Sequence, residues 1–407
     1  MVAWSSRRKT LTVLLFILPT LLGILLFNIY PIAYNITISF TNRNQFRPNP
    51  NCETFPASLI EPVCWGVFPY KPTGLGQPYR LQEPLYENYN ILIGKLFTPE
   101  AGLALAQIAL ALLPLVGAYL LNRRWEKRID RPISGGLVWL LAIALTLFVA
   151  WLLELPKAYA ILLESGDFVV VTARTTLYVA ICLPIFFILG LVLALILNTP
   201  NLPGRTFFRV VLIIPWAASN VAIMMALIWQ FFFREQGTIN QIALLLFNLK
   251  GPAWLNDSFW AFFVIILVNV WFSYPFFMVT ILGALQSIPA EQYEAAEVDG
   301  ATWWDKLLNI TLPLIRPAIL PAIVLTAIGP GGFQMFGTVW ATTTGGPSQG
   351  AGVPGATELV MVYAYKQVYQ TQAYGRMGAY AVMMFAVLFI ATLYSLRLTR
   401  ITKGAYE

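Results

Sequence analysis

Four uncharged hydrogen-bonding residues, Ser219, Asn220, Ser273 and Gln334, stand beside the rings of Trp271, Tyr274, Phe276 and Phe333 in stretches that carry no charge. A neutral polyol needs that combination: hydroxyl partners, a flat apolar face to stack on, and shelter from lipid. Pro275 and the run Gly329, Pro330, Gly331, Gly332 interrupt two of these stretches. The glycines either unwind a helix and open its backbone to a cavity, or only kink it. A plainer reading stands beside the first, because Asn and Ser also hold membrane helices together and a tryptophan can simply pack.

Composition closes off most other chemistry. The chain has no histidine, which removes a His-ligated metal, a Ser-His-Asp triad and a His general base. No G-x-x-x-x-G-K-[ST] phosphate loop occurs, since Gly94-Lys95 is followed by Leu96. No catalytic residue and no metal site are assigned. Of 407 residues, 58% are hydrophobic and 11% charged, with mean hydropathy +0.68, against about 25% charge in a soluble domain. In such a chain the net charge of +7 reads as basic loops beside a bilayer, not as a nucleic-acid surface.

The elements that must position these residues are membrane spans. Charge-free windows of at least about 20 residues run 10–42, 101–122, 132–153, 175–204, 210–233, 258–290, 317–357 and 377–396. The expectation is an all-α polytopic membrane protein with about eight transmembrane helices. The longest windows must include some loop. Arg7, Arg8 and Lys9 before the first span, and Arg123, Arg124, Lys127, Arg128 and Arg131 between the second and third, belong in the cytoplasm by the positive-inside rule. Both termini then fall on that side, in a cell (inner or plasma) membrane. The chain divides into a first span at 1–42, an extracytoplasmic loop at 43–100, two further spans at 101–153, and a five-span core at 154–407. Cys52 and Cys64 share the external loop, where an oxidising compartment permits a disulfide; two free thiols fit the sequence equally. Residues 356–370 read as an amphipathic helix with Leu359, Val362, Tyr363 and Tyr369 as its apolar face.

One loop, 286–317, is acidic where its neighbours are basic. It holds Glu291, Glu294, Glu297, Asp299 and Asp305 against Lys306. Pro289 suits a first helical position, Gly300 a left-handed cap, and Thr302 with Asp305 a capping box. The spacing predicts a helix over 290–299, a bend, and a second helix ending at Leu312-Pro313. An acidic helix with small residues at Ala295, Ala296 and Ala301 admits a basic partner at close range. A solvated loop helix has the same features.

Glu294-Ala-Ala-Glu-Val-Asp-Gly-Ala301, followed by Ile310-Thr-Leu-Pro-Leu-Ile-Arg-Pro317, resembles the EAA loop of permease subunits in binding-protein-dependent ABC importers. Tyr30-Pro31 through Thr41, Ile214-Pro215-Trp216, Asn269 to Phe276 and Gly345-Gly-Pro347 are similar to the maltose type, nearest its larger, MalF-like member. The resemblance covers the first span and about 172 to the end. It implies a type I importer permease core that carries a neutral sugar, a di- or oligosaccharide such as maltose, maltodextrin or trehalose, or a related glycoside. It implies no cofactor on this chain, with ATP and magnesium used by two partner ATPase subunits, a second, MalG-like permease and an extracytoplasmic solute-binding protein. In that family the loop is the coupling helix; Glu294, Ala295, Ala296, Asp299, Gly300 and Ala301 would meet the ATPase. The stretches holding Asn220, Trp271, Phe272, Ser273 and Phe276 match substrate-contacting positions, with Gly332 and Gln334 beside them. The two spans at 101–153 depart from the family pattern. The rivals are an ion-coupled secondary transporter, which would place ionisable residues inside the spans, and a polytopic glycosyltransferase, which would need an acid, base or metal-binding carboxylate.

Overall fold

The computed structural model describes residues 6–125, 135–199, 201–217, 222–350 and 352–401. Among these, every regular element is a helix, with only isolated bridges in the loop after the first span. Long charge-free runs leave the backbone no partner in hydrocarbon except its own carbonyls, so they fold as helices. The first span joins α1 (Ser6–Ile24) to α2 (Tyr30–Ile38) through a π turn, and its loop carries the short α3 (Ala57–Ile60) and α4 (Glu87–Ile93). The two further spans are α5 (Pro99–Trp125) and α6 (Gly135–Leu152), followed by α7 (Leu155–Ser165) and the long α8 (Asp167–Asn198). Next come α9 (Arg205–Ala217), α10 (Ala222–Phe232), α11 (Thr238–Phe247) and α12 (Ser258–Leu285). The acidic loop holds α13 (Ala290–Val298) and α14 (Trp303–Lys306), which a π turn joins to α15 (Leu312–Ile328). The rest of the described chain forms α16 (Gly337–Thr343), α17 (Val360–Tyr369) and α18 (Tyr374–Ile401).

Among the described residues, seven helical stretches are long and apolar enough to cross a membrane. Within the eighth crossing expected at 210–233, the structure describes α9 up to Ala217 and α10 from Ala222, and residues 218–221 lie outside the described residues. The seventh span begins earlier than charge alone suggests, since its helix is continuous from Trp303 to Ile328. The break expected at Leu312-Pro313 does not occur. The π turn Leu307–Thr311, in which the Leu312 N–H reaches back to the Leu307 carbonyl, precedes Pro313 directly and accommodates its ring without ending the helix. On α17, Leu359, Val362 and Tyr363 are buried as an apolar face should be, but Tyr369 is 69% exposed.

Contacts divide the chain into two units. One comprises Met1–Thr98 with Lys366–Val387. Here Cys52 and Cys64 are joined, with Cα atoms 5.1 Å apart. The unit is centred on an ion pair between half-buried Arg43 and buried Glu61, with Arg43 Nη1 2.5 Å from Glu61 Oε1. The hydroxyls of Tyr34 and Tyr79 donate to the same oxygen at 2.9 and 3.0 Å, and Arg43 also donates to the Tyr34 hydroxyl. The rings of Tyr34, Tyr79 and Tyr374 stand 5.2–6.0 Å from the guanidinium. Gly375 donates its N–H to the Arg43 carbonyl at 2.9 Å, so the start of α18 is tied to the loop backbone. A Cβ on Gly375 would lie 2.2 Å from the Thr41 carbonyl oxygen, and glycine is what permits this approach.

The second unit comprises Pro99–Tyr365 with Leu388–Glu407. Its core is the pairing of α8 with α12, where Tyr178, Phe186, Phe277, Met278 and Ile281 are fully buried. Gly190 lets the two backbones approach: a Cβ there would sit 2.7 Å from Phe277 Cβ and 2.9 Å from the Met278 nitrogen. Close approach through a small residue is how membrane helices gain packing energy. Gly190→Val should therefore force α8 and α12 apart at a cost of about 1–3 kcal/mol, read as a lowered unfolding midpoint in detergent; an unchanged midpoint refutes the close-packing account. The two further spans pair with each other, and α7 connects them to α8. On α5 the seam is alanine: Ala101, Ala104, Ala111 and Ala118 are all buried. Buried Arg174 of α8 donates to the Tyr159 hydroxyl and the Gln349 side chain at 3.2 Å, and also to the Gly355 carbonyl, fastening the 343–358 loop over the end of the helix.

Candidate functional site

The site is built on the face of α12 that carries Asn269, Phe272, Ser273 and Phe276, spaced i, i+3, i+4 and i+7. That face lines a cavity of about 580 Å3. Asp257 starts the helix by accepting from the Phe259 and Trp260 N–H groups at 3.0 Å. Tyr274 fixes α12 against α9 by donating to the Leu212 carbonyl at 3.1 Å. The opposite wall is the segment between α15 and α16, where the span is interrupted over 329–336. Its backbone closes in tight turns: Phe333 N–H donates to the Ala327 carbonyl at 2.8 Å and Gln334 N–H to that of Gly329 at 3.1 Å. A Cβ on Gly332 would lie 2.2 Å from the Ala327 oxygen, so the turn requires glycine. Of the two readings of these glycines, unwinding is the one realised.

The two walls are joined by Asn269. It is fully buried; its Nδ2 donates to the Gly331 carbonyl at 3.0 Å and its Oδ1 accepts from Ser273 Oγ at 3.0 Å. Trp216, at the end of α9, adds a third side, its ring 6.2 Å from that of Phe276. Gln334 is exposed to the cavity, and Thr326, Phe336 and Thr338 complete the lining around it. Among the described residues, none that lines the cavity is charged. The arrangement can offer hydroxyl partners and ring faces to a neutral ligand, and no ion pair.

Of the residues singled out from sequence, Phe272, Ser273, Phe276 and Gln334 meet at this cavity. Trp271 does not line it. Two residues back from Ser273 is a turn of about 200° on a helix, and Trp271 packs instead beside Trp229, 5.7 Å ring to ring, in a cluster with Phe233. Gly332 is buried behind the wall, where it shapes the turn while Gly331 lines the cavity. Asn220, with Ser219, lies outside the described residues. Sequence reasoning passed over Asn269 and Trp216 as site residues. The usable signal for Asn269 was a carboxamide within an otherwise apolar span.

The acidic loop is a second candidate site. Gly300 has φ +76°, and Thr302 and Asp305 form a reciprocal cap at 2.9 and 3.3 Å. Pro289 stands at the cap of α13, one residue before the helix. Lys306 closes the bend on Glu297 at 2.7 Å, and this hydrogen bond holds the Glu297 carboxyl below its ordinary value. Glu294, Ala295, Asp299 and Gly300 are exposed; Ala296 and Ala301 are half-buried. Beside them Val298, Trp303 and Trp304 are 88, 55 and 63% exposed.

Residues 178–403 match the family described as binding-protein-dependent transport system inner membrane component. The trehalose/maltose transport system permease protein MalF of Thermococcus litoralis is 31% identical over 245 residues, 60% of this chain and 79% of that protein. The galactooligosaccharides transport system permease protein GanP of Bacillus subtilis is 31% identical over 213 residues, 52% of this chain. The maltose/maltodextrin permease MalF of Vibrio parahaemolyticus is 31% identical over 242 residues, 58% of this chain. The match spans about half the length of these last two relatives, 50% and 45%. Among solved structures, a bacterial alginate ABC transporter in complex with an alginate pentasaccharide-bound periplasmic protein aligns with 65% of this chain and 96% of its own, at 23% identity and TM-score 0.48.

Proposed function

The chain belongs to the binding-protein-dependent transport system inner membrane components, and from that premise we propose that it is a permease subunit of an ATP-driven importer for a neutral di- or oligosaccharide or related glycoside. The observation that carries the reading is the cavity: amide and hydroxyl groups beside aromatic faces, no charge in its lining, and an interrupted span as one wall. The sugar permeases among its relatives support the substrate class. Closure of two partner ATPases on ATP swings the 287–306 loop, and the paired permeases expose the cavity to each side of an inner or plasma membrane in turn. An extracytoplasmic binding protein delivers the sugar. The exposed acidic helix with its Val298, Trp303 and Trp304 knob supports docking on a basic, partly apolar ATPase groove. An ion-coupled carrier would bind its ion with ionisable groups in the spans, and the cavity's lining offers none among the described residues.

Gentle solubilisation of the tagged protein from its native membrane should bring down an ATP-binding subunit and a second permease, identified by mass spectrometry. A lone chain that transports in vesicles without ATP would overturn the proposal. Glu294→Lys should weaken ATPase association at least about tenfold, the loss of one charged contact worth about 1.5–3 kcal/mol, with membrane insertion unchanged. Wild-type association by that variant would remove Glu294 from the coupling role.

A further inference from the structure

Helix α11 (Thr238–Phe247) lies in the segment that leads into the start of α12, whose far end leads into the 287–306 loop. Its ten residues rise about 15 Å, half the thickness of a bilayer core, so it cannot span. Its inward side is firmly attached. Ile239 packs on the cluster of Phe233 and Trp254. Asn240 accepts from Trp254 Nε1 at 2.7 Å and donates to the Glu235 and Pro252 carbonyls at 3.0 and 3.3 Å. The C-terminus closes on Asn248, φ +53°, whose N–H reaches the Leu244 carbonyl at 3.0 Å.

The outward side has no such account in water. Ile242, Leu245 and Leu246 fall on one face and are 48, 83 and 66% exposed, with Phe247 and Leu249 exposed beyond them. No charge occurs from Gln236 to Leu249; Arg234 and Lys250 bracket the apolar run. The flanking helices are apolar and exposed as well, at Ile228 and Phe231 of α10 and Phe259 of α12. Trp254 and Trp260 pack together between α11 and the first turn of α12, as interfacial aromatics do. An exposed apolar face bracketed by cations and flanked by membrane-crossing helices is the pattern of a helix lying in the headgroup–acyl boundary.

We propose that α11 is a membrane-interfacial helix, with Ile242, Leu245 and Leu246 set into the acyl region of the leaflet opposite the acidic loop. Lipid is favoured over a protein partner because the strongly exposed positions of this face, Ile242, Leu245 and Leu246, are all aliphatic, with no charge from Gln236 to Leu249 to select a protein. The inference is independent of the transported substrate.

The test uses the full chain in phosphatidylcholine–phosphatidylglycerol nanodiscs, with Leu246→Cys labelled by an environment-sensitive fluorophore. Cys52 and Cys64 are bonded and Cys182 is buried, so none competes for label. Dibrominated acyl chains should remove about half the emission, as for a helix at the acyl boundary, while iodide has little effect; a label at Gln241→Cys, on the flank, should show the reverse. Emission at Leu246→Cys that iodide quenches and bromolipid does not would overturn the proposal. So would label that becomes shielded only when partner proteins are added, since the face would then belong to a protein.

Discussion

Glu61→Leu should be the most damaging single substitution in the loop after the first span, lowering stability by about 3–5 kcal/mol. The carboxylate answers Arg43 at 2.5 Å and accepts from Tyr34 and Tyr79. Without it the half-buried guanidinium loses its counter-charge, and two hydroxyls lose their acceptor. The double change Arg43→Leu with Glu61→Leu should recover much of the loss, because the cost lies in the orphaned charge more than in the missing attraction. Thermal unfolding in detergent and limited proteolysis across 43–98 read both. Equal damage from the single and double variants would refute the ion-pair account. The hub should also be sensitive to alkali. Burial, and then the Glu61 carboxylate, push the Tyr79 hydroxyl above its ordinary value of 10.0. Its contribution is complete below that value and is lost as pH rises through the higher folded-state value.

Gly332→Val should abolish most uptake while leaving the protein in the membrane. The new side chain meets the Ala327 carbonyl, which is backbone and cannot swing aside. The turn that places Gln334 and Gly331 must open, and Asn269 then loses the Gly331 carbonyl it holds. An unsatisfied buried carboxamide costs about 1–3 kcal/mol, enough to displace the wall of the cavity. Asn269→Leu, which removes the same hydrogen bond without the steric clash, should share the defect in milder form. Sugar uptake in reconstituted vesicles at matched protein levels is the measurement. Wild-type uptake by Gly332→Val would show that the interruption does not shape the transport path.

The spans were legible because hydrocarbon accepts only long charge-free helices, and a run of that kind announces itself at any position. The bend of the acidic loop was legible for a different reason: Gly300, Thr302 and Asp305 act on neighbours within three residues. The cavity was half legible. Ser273 and Phe276 belong to one helical face, but Trp271 was grouped with them by proximity in sequence, when the period of the helix sends it to Trp229. The hub at Arg43 could not be read, since Glu61, Tyr79 and Tyr374 approach it only through the fold. The junction of Asn269 with Gly331 was hidden likewise, because its partners sit on separate spans.

The tie between the Arg43 carbonyl and Gly375, with the Tyr374 ring over the guanidinium, has a consequence for biosynthesis. Tyr374 follows Arg43 by 331 residues, which at about 5–20 residues per second takes a ribosome roughly 17–66 s. Throughout that interval the loop after the first span lacks both the Tyr374 ring and the Gly375 tie. A nascent chain stalled before the last helix would therefore hold a half-finished loop, open to proteolysis, and arrival of the final helix is what closes it.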